Sequence, residues 1–215
     1  MKDPANRQEL ESLPVDLFGF IFYRESPRYA GSVPEKELRK LTDTSREKAA
    51  VFVNAPLREV KETVSRYRFE YVQLHGSEMV EYCREIKTSR VKVIKAFHLH
   101  PDFSFEEIEN YARVADIFLF DTKTARWGGS GEKFNWQLLQ KYNLSVPFFL
   151  SGGIGPEDAV AVLQFRHPAF CGIDLNSGFE DSPGIKNQEK LKLFLDAIPE
   201  KSDPSTKQNS ISEKK

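Results

Sequence analysis

VPFFLSGGIGPEDAVAVLQ, residues 146–164, carries one complete structural unit. VPFFLS (146–151) is a short, nearly continuous apolar run of β-forming residues. Gly152, Gly153 and Gly155-Pro156 break it, and residues 156–164 then space their apolar positions as a helix does. A strand that is apolar on both faces, then a loop, then a helix, is the repeating unit of a parallel sheet covered by helices.

The unit recurs in both directions from this stretch. Strands are expected at VDLFGFIF (15–22), AAVFV (49–53), FEYVQLH (69–75), VKVIKAF (91–97), ADIFLFD (115–121) and FCGIDL (170–175). Helical patterns follow at about 34–42, 56–66, 77–87, 105–113, 134–141 and 187–197. Seven strand–helix units result, and one helix precedes them with no strand in front. That helix opens at Asp3-Pro4, where Asp3 can cap free amides and Pro4 takes a position whose N–H has no partner. An α/β fold of the (β/α)8 TIM-barrel type lacking its first strand fits this count. A doubly wound sheet alternates in the same way, so element order alone leaves both open.

The bulk numbers bound the rest. At 215 residues the chain suits one domain, expected over 1–198. Residues 199–215 hold one isoleucine and no aromatic residue, the composition of a disordered tail. Lys and Arg number 31 against 32 Asp and Glu, a net charge of −1, which favours neither nucleic acid nor an anionic membrane as partner. No apolar run reaches the roughly 20 residues that span a bilayer, and no signal peptide precedes Asp3. Cys83 and Cys171 lack metal-ligand spacing, which suits a reducing compartment. A cytoplasmic domain is the expectation.

In a barrel, chemistry lies where strands end and helices have not begun. FYRESPRYAGS, QLHG, FDTKTARWGGSGEKFNW, LSGGIGPEDA and GIDLNSGFEDSPGIK all sit at such ends, while the strand beginnings are bland. This asymmetry points to an enzyme. Gly152 and Gly153 let backbone approach an anion, and Asn176-Ser177-Gly178 can open a short helix with its amides turned outward, so two consecutive loops suit a phosphate. A tight turn would explain either loop taken singly. Asp121, at a strand end, can serve as a general acid or merely cap the next turn; the long loop after it could fold over a substrate. Arg28 suits a carboxylate partner, with a surface salt bridge as the plain alternative. His75 reads as a buried hydrogen-bonding group, His98 and His100 as solvent-facing, and no metal site is expected. Cys83 should pack inside a helix, and Cys171 begins a strand at the end away from the chemistry.

GFIFYRESPRY (19–29), VQLHG (72–76), FLFDTKTARWGGSGEKFNW (118–136), LSGGIGPEDA (150–159) and GIDLNSGFEDSPGIK (172–186) together resemble, in order and spacing, the phosphoribosylanthranilate isomerase family. The resemblance covers roughly residues 3–197. It implies a (β/α)8 barrel and a cofactor-free Amadori rearrangement of N-(5-phosphoribosyl)anthranilate, a step of tryptophan biosynthesis. The partner would be that small phosphorylated substrate, and the chain a monomer or homodimer. Asp121 then corresponds to the general acid that protonates the ribose ring oxygen. Arg28 corresponds to the residue that meets the anthranilate carboxylate. Gln73, His75 and Asp174 fall at the substrate, and Gly152, Gly153, Asn176, Ser177 and Gly178 at its phosphate.

One family feature does not carry over. The family begins with a short strand and a segment of the form Lys-x-Cys-Gly-Met-Arg-Asp-Pro, whose Cys is the general base. MKDPAN aligns with the last part of it, which implies a strand and a base upstream of Met1 and an impaired chain as written. Two other readings stand beside the isomerase. A non-catalytic phosphosugar-binding or scaffolding descendant would simply lack the base. An indoleglycerol phosphate synthase-like lyase would need a lysine pair at the strand ends, and Lys95 lies inside a strand.

Overall fold

The computed structural model describes residues 1–121 and 136–198. The loop expected to fold over a substrate after Asp121, and the tail from residue 199, lie outside the described residues. Seven parallel strands form the sheet: β1 (Leu17–Ile21), β2 (Glu47–Phe52), β3 (Tyr71–Leu74), β4 (Lys92–His98), β5 (Ile117–Asp121), β6 (Phe148–Ser151) and β7 (Phe170–Ile173). Their spatial order is their chain order, β1 through β7. A doubly wound sheet reverses direction part-way, so this order leaves the barrel wall and removes the alternative. Among the described residues β1 and β7 each pair with one neighbour and form the outer strands.

Strand parity divides the side chains into two layers. Ala49, Tyr71, Ile94, Ala96 and Leu119 form a small cluster on the inner face. Phe18, Phe20, Phe52, Val72, Leu74, Phe118, Phe120 and Phe148 face outward and join the main core under the helices. Those helices are α1 (Pro4–Leu10), α2 (Glu35–Thr42), α3 (Leu57–Tyr67), α4 (Val80–Ile86), α5 (Ala159–Gln164) and α6 (Gln188–Ala197). No helix among the described residues is long and apolar enough to cross a membrane.

Two expected helices are 3-10 helices instead, Phe105–Arg113 and Trp136–Lys141. The cause is in the spacing. Phe105, Ile108, Tyr111 and Val114 recur every third residue, as do Trp136, Leu139 and Tyr142, and a 3-10 helix has three residues per turn.

The lone leading helix forms as its first residues dictate. Asp3 Oδ1 accepts the Asn6 amide at 2.7 Å, and Pro4 is the first helical residue. Asn6 then pairs with the Lys186 backbone in both directions, each bond 2.8 Å. Lys186 belongs to a small antiparallel hairpin, β8 (Glu180–Ser182) and β9 (Ile185–Lys186), which sequence reasoning missed. Gly184 turns it with φ +89°, a conformation that glycine adopts without strain.

A buried ion pair braces the β3 end. Lys95, on the helix-facing side of β4, donates to Gly76 O at 2.7 Å, Leu74 O at 3.2 Å and Glu78 Oε2 at 3.2 Å. Glu78 also accepts the Asn54 and Gly76 amides at 2.8 and 2.9 Å. Lys95 is therefore structural and turned away from the inner face.

Candidate active site

Parity carries the inner face from apolar to polar at the strands' carboxyl ends. Tyr71 sets Gln73 and His75 inward, Ile94 and Ala96 set His98, Leu119 sets Asp121, and Phe149 sets Ser151. The parallel register then places His98 opposite Asp121, and Asp121 opposite Ser151.

These groups bond laterally. Gln73 Nε2 lies 3.0 Å from His75 Nδ1, and His75 Nε2 lies 3.3 Å from Asp121 Oδ2. The His75 ring thus bridges the Gln73 amide and the Asp121 carboxylate, with Nε2 facing the carboxylate. His98 Nδ1 approaches the same oxygen at 3.4 Å. The hydrogen bond to Asp121 holds His98 above the ordinary imidazole value; burial opposes this and the carboxylate charge adds to it. His98 is solvent-facing over 65 % of its side chain, as expected, but its ring is turned to Asp121, which the sequence reading missed. Its phase with Ile94 and Ala96 was the available signal. Donor atoms of His75, His98 and Asp121 all lie within 4.8 Å of one another, the grouping among the described residues with metal-ligand chemistry. Its contacts at 3.3 and 3.4 Å join the three side chains as a hydrogen-bonded cluster.

A cavity of about 1430 Å³ opens above this row. Arg28, Gln73, His75 and Asp121 line it on one side, and Gly152, Gly153, Asp174, Asn176 and Ser177 on the other. It is large because it continues between the outer strands, past Gly19 and Cys171 to Leu10 and Leu191. Gly152 and Gly153 have φ +95° and +70°, and a Cβ built on Gly153 would meet nothing within 4 Å. Gly178 does not line the cavity. A Cβ there would collide with the Ile154 carbonyl, so Gly178 lets the loop after β7 rest on the loop after β6. Ser151 Oγ donates to Asp174 Oδ2 at 3.2 Å, tying the ends of β6 and β7.

Arg28 is bound side-on. Its Nε lies 3.0 and 2.8 Å from the two Glu180 carboxylate oxygens, and its Nη2 lies 2.6 Å from Oε2. Glu180 is 4 % exposed, so this is no surface salt bridge. Neither cysteine reaches the carboxyl end. Cys83 is buried in α4, where burial pushes its thiol up to about 11, and Cys171, at the start of β7, donates to Phe148 O at 3.2 Å.

Residues 3–197 match the family model described as N-(5'phosphoribosyl)anthranilate (PRA) isomerase. The chain belongs to this family. It is 43% identical over 199 residues to an N-(5'-phosphoribosyl)anthranilate isomerase of Parabacteroides distasonis, covering 92% of this chain and 90% of the relative. The crystal structure of phosphoribosyl anthranilate isomerase from Thermotoga maritima superposes with a TM-score of 0.77 at 30% identity, covering 92% of this chain and 95% of that one. A PRA isomerase solved in complex with reduced 1-(o-carboxyphenylamino)-1-deoxyribulose 5-phosphate superposes with a TM-score of 0.75 at 26% identity, covering 92% and 94%. The fold of this PRA isomerase family member is thus the (β/α)8 barrel, with seven parallel strands in its sheet among the described residues.

Proposed function

We propose that the protein isomerises N-(5-phosphoribosyl)anthranilate to 1-(2-carboxyphenylamino)-1-deoxyribulose 5-phosphate, an Amadori rearrangement serving tryptophan biosynthesis. The observation that carries this reading is one cavity holding three unlike groups: a fixed guanidinium, a carboxylate between imidazoles and an open glycine loop. A substrate with an aromatic carboxylate at one end, a phosphate at the other and a ring oxygen between them fits that set.

In this reading the Gly152-Gly153 loop, with Asn176 and Ser177, takes the phosphate, and Gly178 keeps the two loops in contact. Arg28 offers the carboxylate its Nη1 edge, because Glu180 occupies the Nε edge. Asp121 delivers a proton to the ribose ring oxygen as the bond from that oxygen to C1 breaks and the anilino nitrogen lone pair forms the Schiff base. The proton is shared within the cluster of His75, His98 and Asp121, of which His75 and Asp121 line the cavity. Gln73 and His75 hold the Asp121 carboxylate in place, and Asp174 stands beside the phosphate loops. Loss of the C2 proton then gives the enol that becomes the ketone; neither described cysteine is placed to take it. The chemistry of both steps is proton transfer and needs no cofactor. A small phosphorylated substrate is retained where it is made, which favours the cytoplasm.

The test uses the protein expressed from its natural gene, supplied with N-(5-phosphoribosyl)anthranilate and followed by chromatography against the authentic ketose. Conversion is expected. Binding of the reduced product analogue without conversion would instead favour a phosphosugar-binding descendant.

A further inference from the structure

Behind the cavity wall, one carboxylate holds two of its cations. Glu180 Oε1 accepts Lys186 Nζ at 3.2 Å and the Gly184 amide at 3.1 Å, besides its side-on grip on Arg28. Lys186 Nζ spends its other two protons on Asn176, at 3.0 Å to the carbonyl and 2.8 Å to Oδ1. Arg28, Lys186 and Asn176 line the cavity, and Glu180 is absent from its lining. The hairpin produces this arrangement: β8–β9 pairing sets Glu180 directly opposite Lys186, and α1 clamps the Lys186 backbone through Asn6.

We propose that Glu180 is a positioning residue that couples the two anion-binding ends of the substrate site. Through Arg28 it orients the guanidinium for the aromatic carboxylate. Through Lys186 it sets Asn176 in the loop proposed to take the phosphate. The inference rests on the reading of Arg28 as the carboxylate ligand. A buried carboxylate is unfavourable unless paired, and this one has three donor groups. Its Arg28 contact uses one edge of a planar fork and leaves the Nη1 edge for a second carboxylate. Neutralising Glu180 frees that guanidinium to rotate and releases one of the three bonds that orient the Lys186 ammonium.

Two probes separate the ends: the reduced product analogue named above, and the same molecule without its carboxyl group. Dissociation constants are measured by calorimetry on wild type, Glu180→Gln, Lys186→Met and Arg28→Lys, each checked for fold by circular dichroism. Glu180→Gln is expected to weaken the carboxylated analogue about tenfold or more, the equivalent of one charge-assisted hydrogen bond, and the decarboxylated one by less. Lys186→Met, which removes the ammonium between Glu180 and Asn176 and leaves the Arg28–Glu180 contact in place, should weaken both analogues. A Glu180→Gln protein that melts earlier yet binds both analogues normally would overturn the proposal, as would a loss confined to the carboxylated analogue. If Glu180→Gln does not fold, Lys186→Met decides the coupling: unchanged binding of both analogues overturns it. Arg28→Lys should weaken the carboxylated analogue alone. Were it neutral for both, the reading of Arg28 would fail, whatever Glu180→Gln does.

Discussion

His98 and Asp121 stand opposite each other in the β4–β5 register, Nδ1 3.4 Å from Oδ2, while His75 Nε2 reaches the same oxygen at 3.3 Å. One carboxylate oxygen between two imidazoles is a hydrogen-bonded partner to both, rather than the cap of the next turn that a strand-end aspartate also suggests. In the proposed mechanism this hydrogen-bonded cluster supplies the acidic proton, and His75 and Asp121 are its members that line the cavity.

Asp121→Asn keeps the shape of the side chain and removes its ability to carry a proton. Its kcat is expected to fall about 10²–10⁴-fold, the usual contribution of a positioned acid. Binding of the reduced product analogue should change little, because no substrate charge is lost. Steady-state kinetics beside calorimetry check both; near-normal kcat would remove Asp121 from its role.

The His98 contact also predicts a pH dependence of stability. Its imidazole is held above the ordinary value by Asp121, so the folded state keeps a proton that the unfolded chain gives up first. The pair's contribution is fully present below the unfolded value of about 6.5 and is lost as pH rises through the raised folded value. Wild type should therefore exceed His98→Gln in Tm by more at mildly acidic pH than at mildly alkaline pH. Equal gaps at the two pH values would mean that the contact is not formed in solution.

Much of this was legible because βα units repeat. VPFFLS and its counterparts announce parallel strands, and Asp121, Arg28 and Gly152-Gly153 stand out as polar or glycine residues where apolar runs stop. Strand parity could also have brought in His98, which shares a phase with Ile94 and Ala96. The role of Glu180 was not readable. It depends on a three-residue strand pairing with a two-residue one, too short to leave an alternating pattern, and on a partner 152 positions away. The apolar spacing at Phe105–Arg113 had period three, and reading it as an α-helix overlooked that.

Gly153 supplies a test of the phosphate loop. At φ +70° a side chain strains the backbone, by about 1–2 kcal/mol for an L-residue in this region. Its Cβ would project into open space rather than into a neighbour. Gly153→Val should keep the fold by circular dichroism, melt somewhat earlier, and raise KM while inorganic phosphate loses its power as a competitive inhibitor. Unchanged inhibition by phosphate would move the anion site elsewhere.

The Lys95–Glu78 pair gives the sharpest stability prediction. Both side chains are 2 % exposed, and burial pulls Lys95 below its ordinary value while Glu78 works to hold it up. Lys95→Met fills similar space but leaves Glu78 as a buried carboxylate with two backbone amides and no cation. Removing one partner of a buried pair typically destabilises by about 3–5 kcal/mol, because the remaining charge is uncompensated. Adding Glu78→Gln removes that charge, so the double variant should recover part of the loss. Urea unfolding of the two single variants and the double one measures this directly. A Lys95→Met loss below about 1 kcal/mol would show that the pair behaves like an exposed one. The turn it braces holds Gly76 by both its carbonyl and its amide, next to His75. The same variant should therefore also lower kcat, by loosening the imidazole that holds Asp121.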